Sequence, residues 1–191
     1  FLLAVFILPL CFNIDFILSL WLKEIPAYTN IFVILFLANV LAESYSTYLI
    51  TVLLATGKIA FYQASVGTIL LLNVPLSYLA FQWGYPPVSF LVVSIILTFA
   101  ASALRLFLLK KRFSFSITLF LRSVFLKTLL TILLVSALNF MLLNLRSLLP
   151  YGNILVLLFS CLISMGGIYI LGLNSEERRI VIVQAKKYLH R

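Results

Sequence analysis

Side chains able to do chemistry are scarce in this chain of 191 residues. Its one histidine, His190, stands one position before the last residue, and the two cysteines, Cys11 and Cys161, lie in apolar runs without metal-ligand spacing. The motifs of zinc proteases, serine hydrolases and dinucleotide-binding proteins do not occur. We therefore expect a protein that is not an enzyme and that holds no metal and no cofactor.

One carboxylate stands out because it falls inside a long apolar stretch. Glu43 follows Asn39 by one helical turn, and Ser44, Ser46 and Thr47 are close by. Ionisable residues within a membrane are costly and usually face a bundle interior or a wet cavity. Two interpretations remain open: Glu43 lines a polar path together with Asn39, or it serves structure, either paired with a cation such as Lys127 or Arg105 or protonated.

The composition indicates that these polar residues are carried by membrane-spanning segments. Hydrophobic residues make up 64% of the chain and charged residues 10%, with a mean hydropathy of +1.20. A soluble domain has about a quarter of its residues charged, so the composition predicts a membrane protein. The formal net charge of +9 comes from basic residues clustered between apolar runs, which indicates membrane topology and excludes a nucleic-acid surface.

Apolar runs of about 20 residues cross the hydrocarbon core, and the chain divides into six of them. We expect an all-α transmembrane bundle over residues 1–173, followed by a basic cytoplasmic tail over 174–191. Asn73 and Pro75 lie within the third span, where proline favours a kink. The predicted spans are 1–20, 29–55, 59–82, 88–109, 116–145 and 153–173.

Lysine and arginine set the expected orientation. Placing both ends of the chain in the cytoplasm puts twelve of the 14 basic residues on that side, and the opposite turns then hold tryptophan and tyrosine residues that suit the headgroup region. Basic residues at the cytoplasmic face could contact lipid phosphate or a diphosphate. These candidates are Lys58, Arg105, Lys110, Lys111 and Arg112.

Several short motifs, taken in order, resemble the C-terminal portion of bacterial oligosaccharide flippases of the O-antigen type, which belong to the multidrug/oligosaccharidyl-lipid/polysaccharide exporter superfamily. The similarity covers residues 1–112, and the last two helices share only the general pattern. The motifs are Leu8-Pro9, Ile14 to Leu18, Leu20 to Leu22, Glu24 to Thr29, Ala55 to Ile59, Tyr62-Gln63, Leu71 to Tyr78 and Gly84 to Pro87.

The resemblance implies that the chain forms one lobe of a two-lobed, MATE-like transporter in the bacterial cytoplasmic membrane, partnered by an N-terminal lobe. It implies alternating-access flipping of undecaprenyl-diphosphate-linked oligosaccharide repeat units from the cytoplasmic to the periplasmic leaflet, in polysaccharide (O-antigen, lipopolysaccharide) biosynthesis. Expected partners are the lipid-linked oligosaccharide, membrane lipids and other polysaccharide-assembly proteins, with no nucleic acid. The residues expected to face the substrate cleft are Asn39, Glu43, Asn73, Arg122 and Lys127.

Other functions remain open at this stage. An ion-coupled exporter of drugs or small solutes belongs to the same superfamily. A membrane scaffold of a glycan-assembly complex, without transport of its own, would have a similar composition. An integral-membrane glycosyltransferase or polymerase is disfavoured because it would need catalytic groups on a sizeable loop, and the connections between the predicted spans are short.

Overall fold

A computed structural model describes residues 1–54, 59–113, 117–144, 152–173 and 177–179. The side chains of residues 48, 59, 111–113, 117, 119 and 123 fall outside this description. Within the described ranges the elements are helical and none is a strand. They are α1 (Leu2–Phe12), α2 (Ile14–Ser19), α3 (Thr29–Leu54), α4 (Ile59–Leu71), α5 (Asn73–Gln82), α6 (Ser89–Phe113), α7 (Ile117–Phe120), α8 (Lys127–Leu143), α9 (Gly152–Gly167), and π-helical segments Leu121–Leu126 and Ile168–Gly172.

Five helical stretches in the described residues are long and apolar enough to cross a membrane. At most a third of each stretch is buried inside the protein, and many large apolar side chains lie exposed on their surfaces. Such extensive apolar surface is compatible with lipid and not with water. The five stretches are Thr29–Leu54, Ala60–Gln82, Ser89–Lys110, Val124–Leu143 and Gly152–Gly172.

The first predicted span, residues 1–20, is not confirmed as one helix. α1 ends at Phe12 and α2 begins at Ile14, with Asn13 between them at φ −115°. The Asn13 side chain donates from Nδ2 to the Pro9 carbonyl at 3.0 Å, and such local bonds compete with helix propagation. The 11 residues of α1 extend about 16 Å, roughly half of the hydrocarbon thickness.

The third predicted span, residues 59–82, is present and is interrupted at Leu72 between α4 and α5. Pro75 lies three positions further on and has no N–H to donate to the Leu71 carbonyl. Asn73 accepts a hydrogen bond at Oδ1 from the Ser77 hydroxyl, 3.1 Å away. The interruption therefore lies one turn before the proline, as its missing donor predicts.

The described chain divides into two compact units. The first unit comprises Phe1–Phe16 with Arg122–Arg191, and the second comprises Ile17–Leu121. In the first unit α1, α8 and α9 pack against one another.

In the second unit α6 is the central helix, with α3, α4 and α5 packed on it. Asn39 pairs with Thr98 and Ser46 pairs with Ser102, so positions increase together along α3 and α6. The two helices therefore run parallel. The core of this unit contains Leu49, Leu53, Tyr62, Val66, Ala101, Leu108 and Leu109.

Candidate functional site

Polar side chains join α3 to α6 along their shared interface. Thr98 Oγ1 donates to Asn39 Oδ1 at 3.1 Å. Ser102 Oγ donates to the Thr98 carbonyl at 2.8 Å and is also bonded to Ser46 Oγ. Because the single hydroxyl proton of Ser102 goes to that carbonyl, Ser46 is the donor to Ser102. We call Asn39, Ser46, Thr98 and Ser102 the α3–α6 polar stripe.

Small residues make this close approach of α3 and α6 feasible. Ala42 lies between Asn39 and Ser46 on α3, and Ala101 precedes Ser102 on α6; both alanines are buried. Small residues allow two helix backbones to come close enough for short hydroxyl side chains to bond across the contact. The stripe is thus a consequence of small-residue packing between two parallel helices.

Glu43 lies at the edge of the α3–α6 polar stripe. It is exposed, one turn beyond Asn39 and about 40° further around the helix. Neither Arg105 nor any other described basic residue of the second unit forms an ion pair with its carboxylate. Asn39 thus lies within the stripe and Glu43 is exposed beside it, and that the two line a polar path stays a prediction.

Arg105 lies further along α6, on the side of the helix that carries Thr98 and Ser102. Its guanidinium Nε donates to the Tyr62 hydroxyl of α4 at 3.3 Å, and both side chains are buried, at 6% and 5% exposure. The sequence pointed to Arg105 as a phosphate or lipid contact and did not predict its bond to Tyr62.

The five predicted cleft residues divide between the two units. Asn39, Glu43 and Asn73 belong to the second unit, and Arg122 and Lys127 to the first. Arg122 is exposed in the π-helical segment Leu121–Leu126, and Lys127 is half-buried at the start of α8. That all five face one cleft stays a prediction.

The other predicted contacts for phosphate or lipid are described only in part. Lys110 is exposed near the end of α6. Lys111 and Arg112 continue that helix, with their side chains outside the description, and Lys58 lies outside the described residues. The same is true of the predicted tail over 174–191, apart from residues 177–179.

A second polar cluster, which the sequence interpretation missed, lies between α8 and α9 in the first unit. Asn139 Nδ2 donates to the Val135 carbonyl at 2.9 Å and to Ser164 Oγ at 3.2 Å, and Ser160 Oγ donates to Asn139 Oδ1. Asn139, Ser160 and Ser164 are each at most 1% exposed, and we call them the Asn139 cluster. The sequence does contain a signal for this cluster. Asn139 stands inside an apolar run, and the spacings from Ser160 to Ser164 and from Ser164 to Gly167 are four and three residues, which places the three on one helix face.

The helices of the Asn139 cluster approach each other closely at Gly167. A Cβ built on Gly167 would lie 2.7 Å from Val135 Cγ2, whereas one on the neighbouring Gly166 would meet nothing within 4 Å. Glycine at position 167 is thus required by close approach to α8 and not by backbone conformation.

A small cavity of about 200 Å³ lies where α3 and α6 begin. Tyr28, which precedes α3, has φ 69°, an uncommon conformation for a residue with a side chain. The cavity contains no titratable group other than the tyrosine. Its lining residues are Ala27, Tyr28, Thr29, Phe32, Pro87 and Val88.

The described ranges contain no group of three or more His, Cys, Asp or Glu side chains able to hold a metal ion. The polar groups that the described site offers are those of the α3–α6 polar stripe, the Glu43 carboxylate and the Arg105 guanidinium.

Comparisons with protein-family models, with curated protein sequences and with solved structures find no match to this chain.

Proposed function

We propose that the protein flips undecaprenyl-diphosphate-linked oligosaccharide repeat units from the cytoplasmic to the periplasmic leaflet of the bacterial cytoplasmic membrane. It would act by alternating access and without chemistry of its own. The chain would supply one lobe of a MATE-like transporter, with the second lobe completing the cleft and the C-terminus on the cytoplasmic side. The order of motifs noted in the sequence suggests this family, and the site geometry is consistent with it.

The observation that carries the proposal is the exposed Glu43 carboxylate beside the α3–α6 polar stripe. A carboxylate exposed midway along an apolar helix would face hydrocarbon at a cost of several kcal/mol unless water or a polar partner reaches it. Transporters provide such polar surfaces near the middle of the membrane, where the substrate is bound. Glu43 would accept hydrogen bonds from sugar hydroxyls, and the Asn39 side-chain amide would donate to them, while the lipid tail stays in the bilayer.

Ordinary membrane-scaffold packing explains the stripe but not the carboxylate. Asn39, Ser46, Thr98 and Ser102 satisfy one another across the α3–α6 contact. Glu43 takes no part in these bonds and is not needed for them. A residue that is expensive in lipid and unnecessary for packing favours a transport role.

The direct test is depletion of the full-length protein in its native cell, with the leaflet of the lipid-linked oligosaccharide scored by a membrane-impermeant glycosidase. We expect the oligosaccharide to accumulate on the cytoplasmic side, protected in intact spheroplasts and cleaved after permeabilisation. Re-expression of the intact protein provides the matched control. Cleavage at the normal rate in depleted, intact spheroplasts would contradict the proposal.

Glu43 also favours a second candidate, an ion-coupled exporter of small solutes. A lone intramembrane carboxylate is a frequent proton or cation site in transporters. In that case depletion would increase sensitivity to toxic solutes and leave the lipid-linked oligosaccharide correctly distributed. The same depleted strain, tested against a panel of cationic and neutral toxins, separates the two functions.

A further inference from the structure

Arg105 has hydrogen-bonding capacity that the described protein does not use. Its Nε donates to Tyr62, and no described residue accepts a bond from Nη1 or Nη2. A guanidinium carries five N–H donors, so four of the five have no described protein acceptor. The side chain is nevertheless 94% buried, since its exposure is 6%.

No described carboxylate in the same unit compensates this charge. The described part of the second unit contains two acidic residues, Glu24 and Glu43. Glu24 precedes α3, at the opposite end of the parallel α3 and α6 helices from Arg105. Glu43 precedes Ser46, and Ser102, the partner of Ser46, precedes Arg105, so Glu43 also lies before the level of Arg105. An isolated buried cation is strongly unfavourable, and it persists when an anion completes the site.

Tyr62 holds the Nε side of the guanidinium. The Tyr62 hydroxyl accepts from Nε, and Tyr62 belongs to the core together with Leu53, Leu108 and Leu109. The two Nη groups, which have no described acceptor, form a planar fork. Such a fork matches two oxygens of a phosphate group and forms short, charge-assisted bonds with them.

The position along α6 indicates where the anion comes from. Arg105 lies about 7.5 Å before Lys110 along the helix axis, within the last part of the candidate span Ser89–Lys110. The sequence continues with Lys111 and Arg112. With Lys110 at the border of hydrocarbon and headgroups, Arg105 would lie about 7.5 Å inside that border, a depth from which a long arginine side chain can extend toward lipid phosphates.

We propose that Arg105, oriented by Tyr62, binds the phosphate of a membrane lipid. Two sources share this chemistry: the headgroup of a phospholipid and the diphosphate of a polyprenyl-linked substrate. The second source rests on the proposed function, whereas the phosphate site itself does not.

The test uses the full-length protein purified in detergent and titrated with defined lipids, with bound lipid counted by native mass spectrometry. The probes are phosphatidylglycerol, undecaprenyl diphosphate and, as a phosphate-free lipid, diacylglycerol. Arg105→Gln removes the fork, Tyr62→Phe removes its orienting acceptor, and Lys23→Gln is the matched control, because it removes one exposed charge before α3.

We expect Arg105→Gln to weaken binding of at least one phosphate-bearing lipid by about tenfold, the effect of losing a charge-assisted bond. Tyr62→Phe should weaken it less, and Lys23→Gln and diacylglycerol binding should not change. Loss for phosphatidylglycerol identifies a headgroup site, and loss for undecaprenyl diphosphate alone identifies a substrate site. Equal affinities of Arg105→Gln and Lys23→Gln for both phosphate-bearing lipids would overturn the proposal.

Folding and function are separated by two further readouts. Arg105→Lys keeps the charge but not the fork, and we expect it to bind phosphate-bearing lipids more weakly while remaining monodisperse and thermally stable. If Arg105→Gln proves unstable, Arg105→Lys decides the question, and wild-type affinity in that variant counts against the fork. A normal leaflet distribution after depletion would reject the flippase and leave a phospholipid site standing.

Discussion

The Asn139 cluster and the α3–α6 polar stripe are both polar contacts between apolar helices, and they differ in whether an exposed polar group lies at their edge. The Asn139 cluster is closed, because Asn139, Ser160 and Ser164 are almost fully buried and bond to one another. The α3–α6 polar stripe is open at one edge, where Glu43 is exposed and takes no part in its bonds. A closed network rigidifies a helix pair, whereas an open one offers polar groups to something else.

This comparison predicts that stability depends mainly on the α8–α9 contact and function mainly on the α3–α6 edge. Four experiments test it, in decreasing order of the expected effect on the free energy of unfolding. Each uses the full-length protein, and stability is measured by reversible unfolding in bicelles.

Asn139→Ala should have the largest effect on stability. It removes bonds to Ser160, Ser164 and the Val135 carbonyl and leaves a buried gap, so we expect a loss of about 2–3 kcal/mol. Asn144→Ala, which changes an exposed asparagine at the end of the same helix, is the control and should cost less than about 0.5 kcal/mol. Equal losses in the two variants would show that the Asn139 cluster contributes nothing specific.

Gly167→Ala should come next. The added methyl group would overlap with Val135 Cγ2, and a β-branched, fully buried side chain has little room to move, so we expect a loss of about 1–2 kcal/mol. Gly166→Ala meets nothing and should be neutral or slightly stabilising, since alanine favours helix more than glycine. Val135→Ala should recover part of the loss in the Gly167→Ala background, and additive effects would mean that the two sites do not touch.

Ser46→Ala and Ser102→Ala test the stripe itself. Hydrogen bonds between membrane helices are worth about 0.6 kcal/mol on average, and we expect a coupling of that size between the two serines in a double-mutant cycle. A coupling above about 2 kcal/mol would contradict the view that the stripe contributes less to stability than the Asn139 cluster.

Glu43→Gln should have the smallest effect on stability and a clear effect on export. An exposed side chain without a described partner can lose its charge at a cost below about 0.5 kcal/mol. Export of lipid-linked oligosaccharide should nevertheless fall, as measured by glycosidase access in intact spheroplasts at matched expression. Thr47→Val, an exposed and nearly isosteric change one turn further on, should leave export unchanged. Full export by Glu43→Gln would remove Glu43 from the substrate path.

Much of the helical pattern was predictable from the sequence. The spans predicted over 29–55, 59–82 and 88–109 correspond to α3, α4 with α5, and α6, because long apolar runs between Gly, Pro and basic residues leave the backbone one way to satisfy its hydrogen bonds in lipid. The first span was not predictable in this way. Hydropathy does not register that Asn13 bonds to the Pro9 carbonyl and ends α1 there.

The candidate site was predictable only in part. Glu43 and Asn39 stood out because a polar residue within an apolar run can be recognised from the sequence alone. Their surroundings, with Thr98 and Ser102 opposite Asn39 and Ser46, depend on α3 and α6 running parallel in one register. Residues more than fifty positions apart meet there, and no local pattern determines that pairing.

The sequence by itself determined an all-helical chain with membrane-spanning apolar runs, because burying the backbone in lipid depends on composition and run length alone. Only the tertiary structure decided which polar groups are satisfied. It pairs Asn139 with Ser160 and Ser164 and leaves Glu43 exposed. It also gives Arg105 one described acceptor, at Tyr62. The physical reason is that the sequence shows where a costly polar side chain stands in an apolar helix, whereas its compensation depends on which helix faces it.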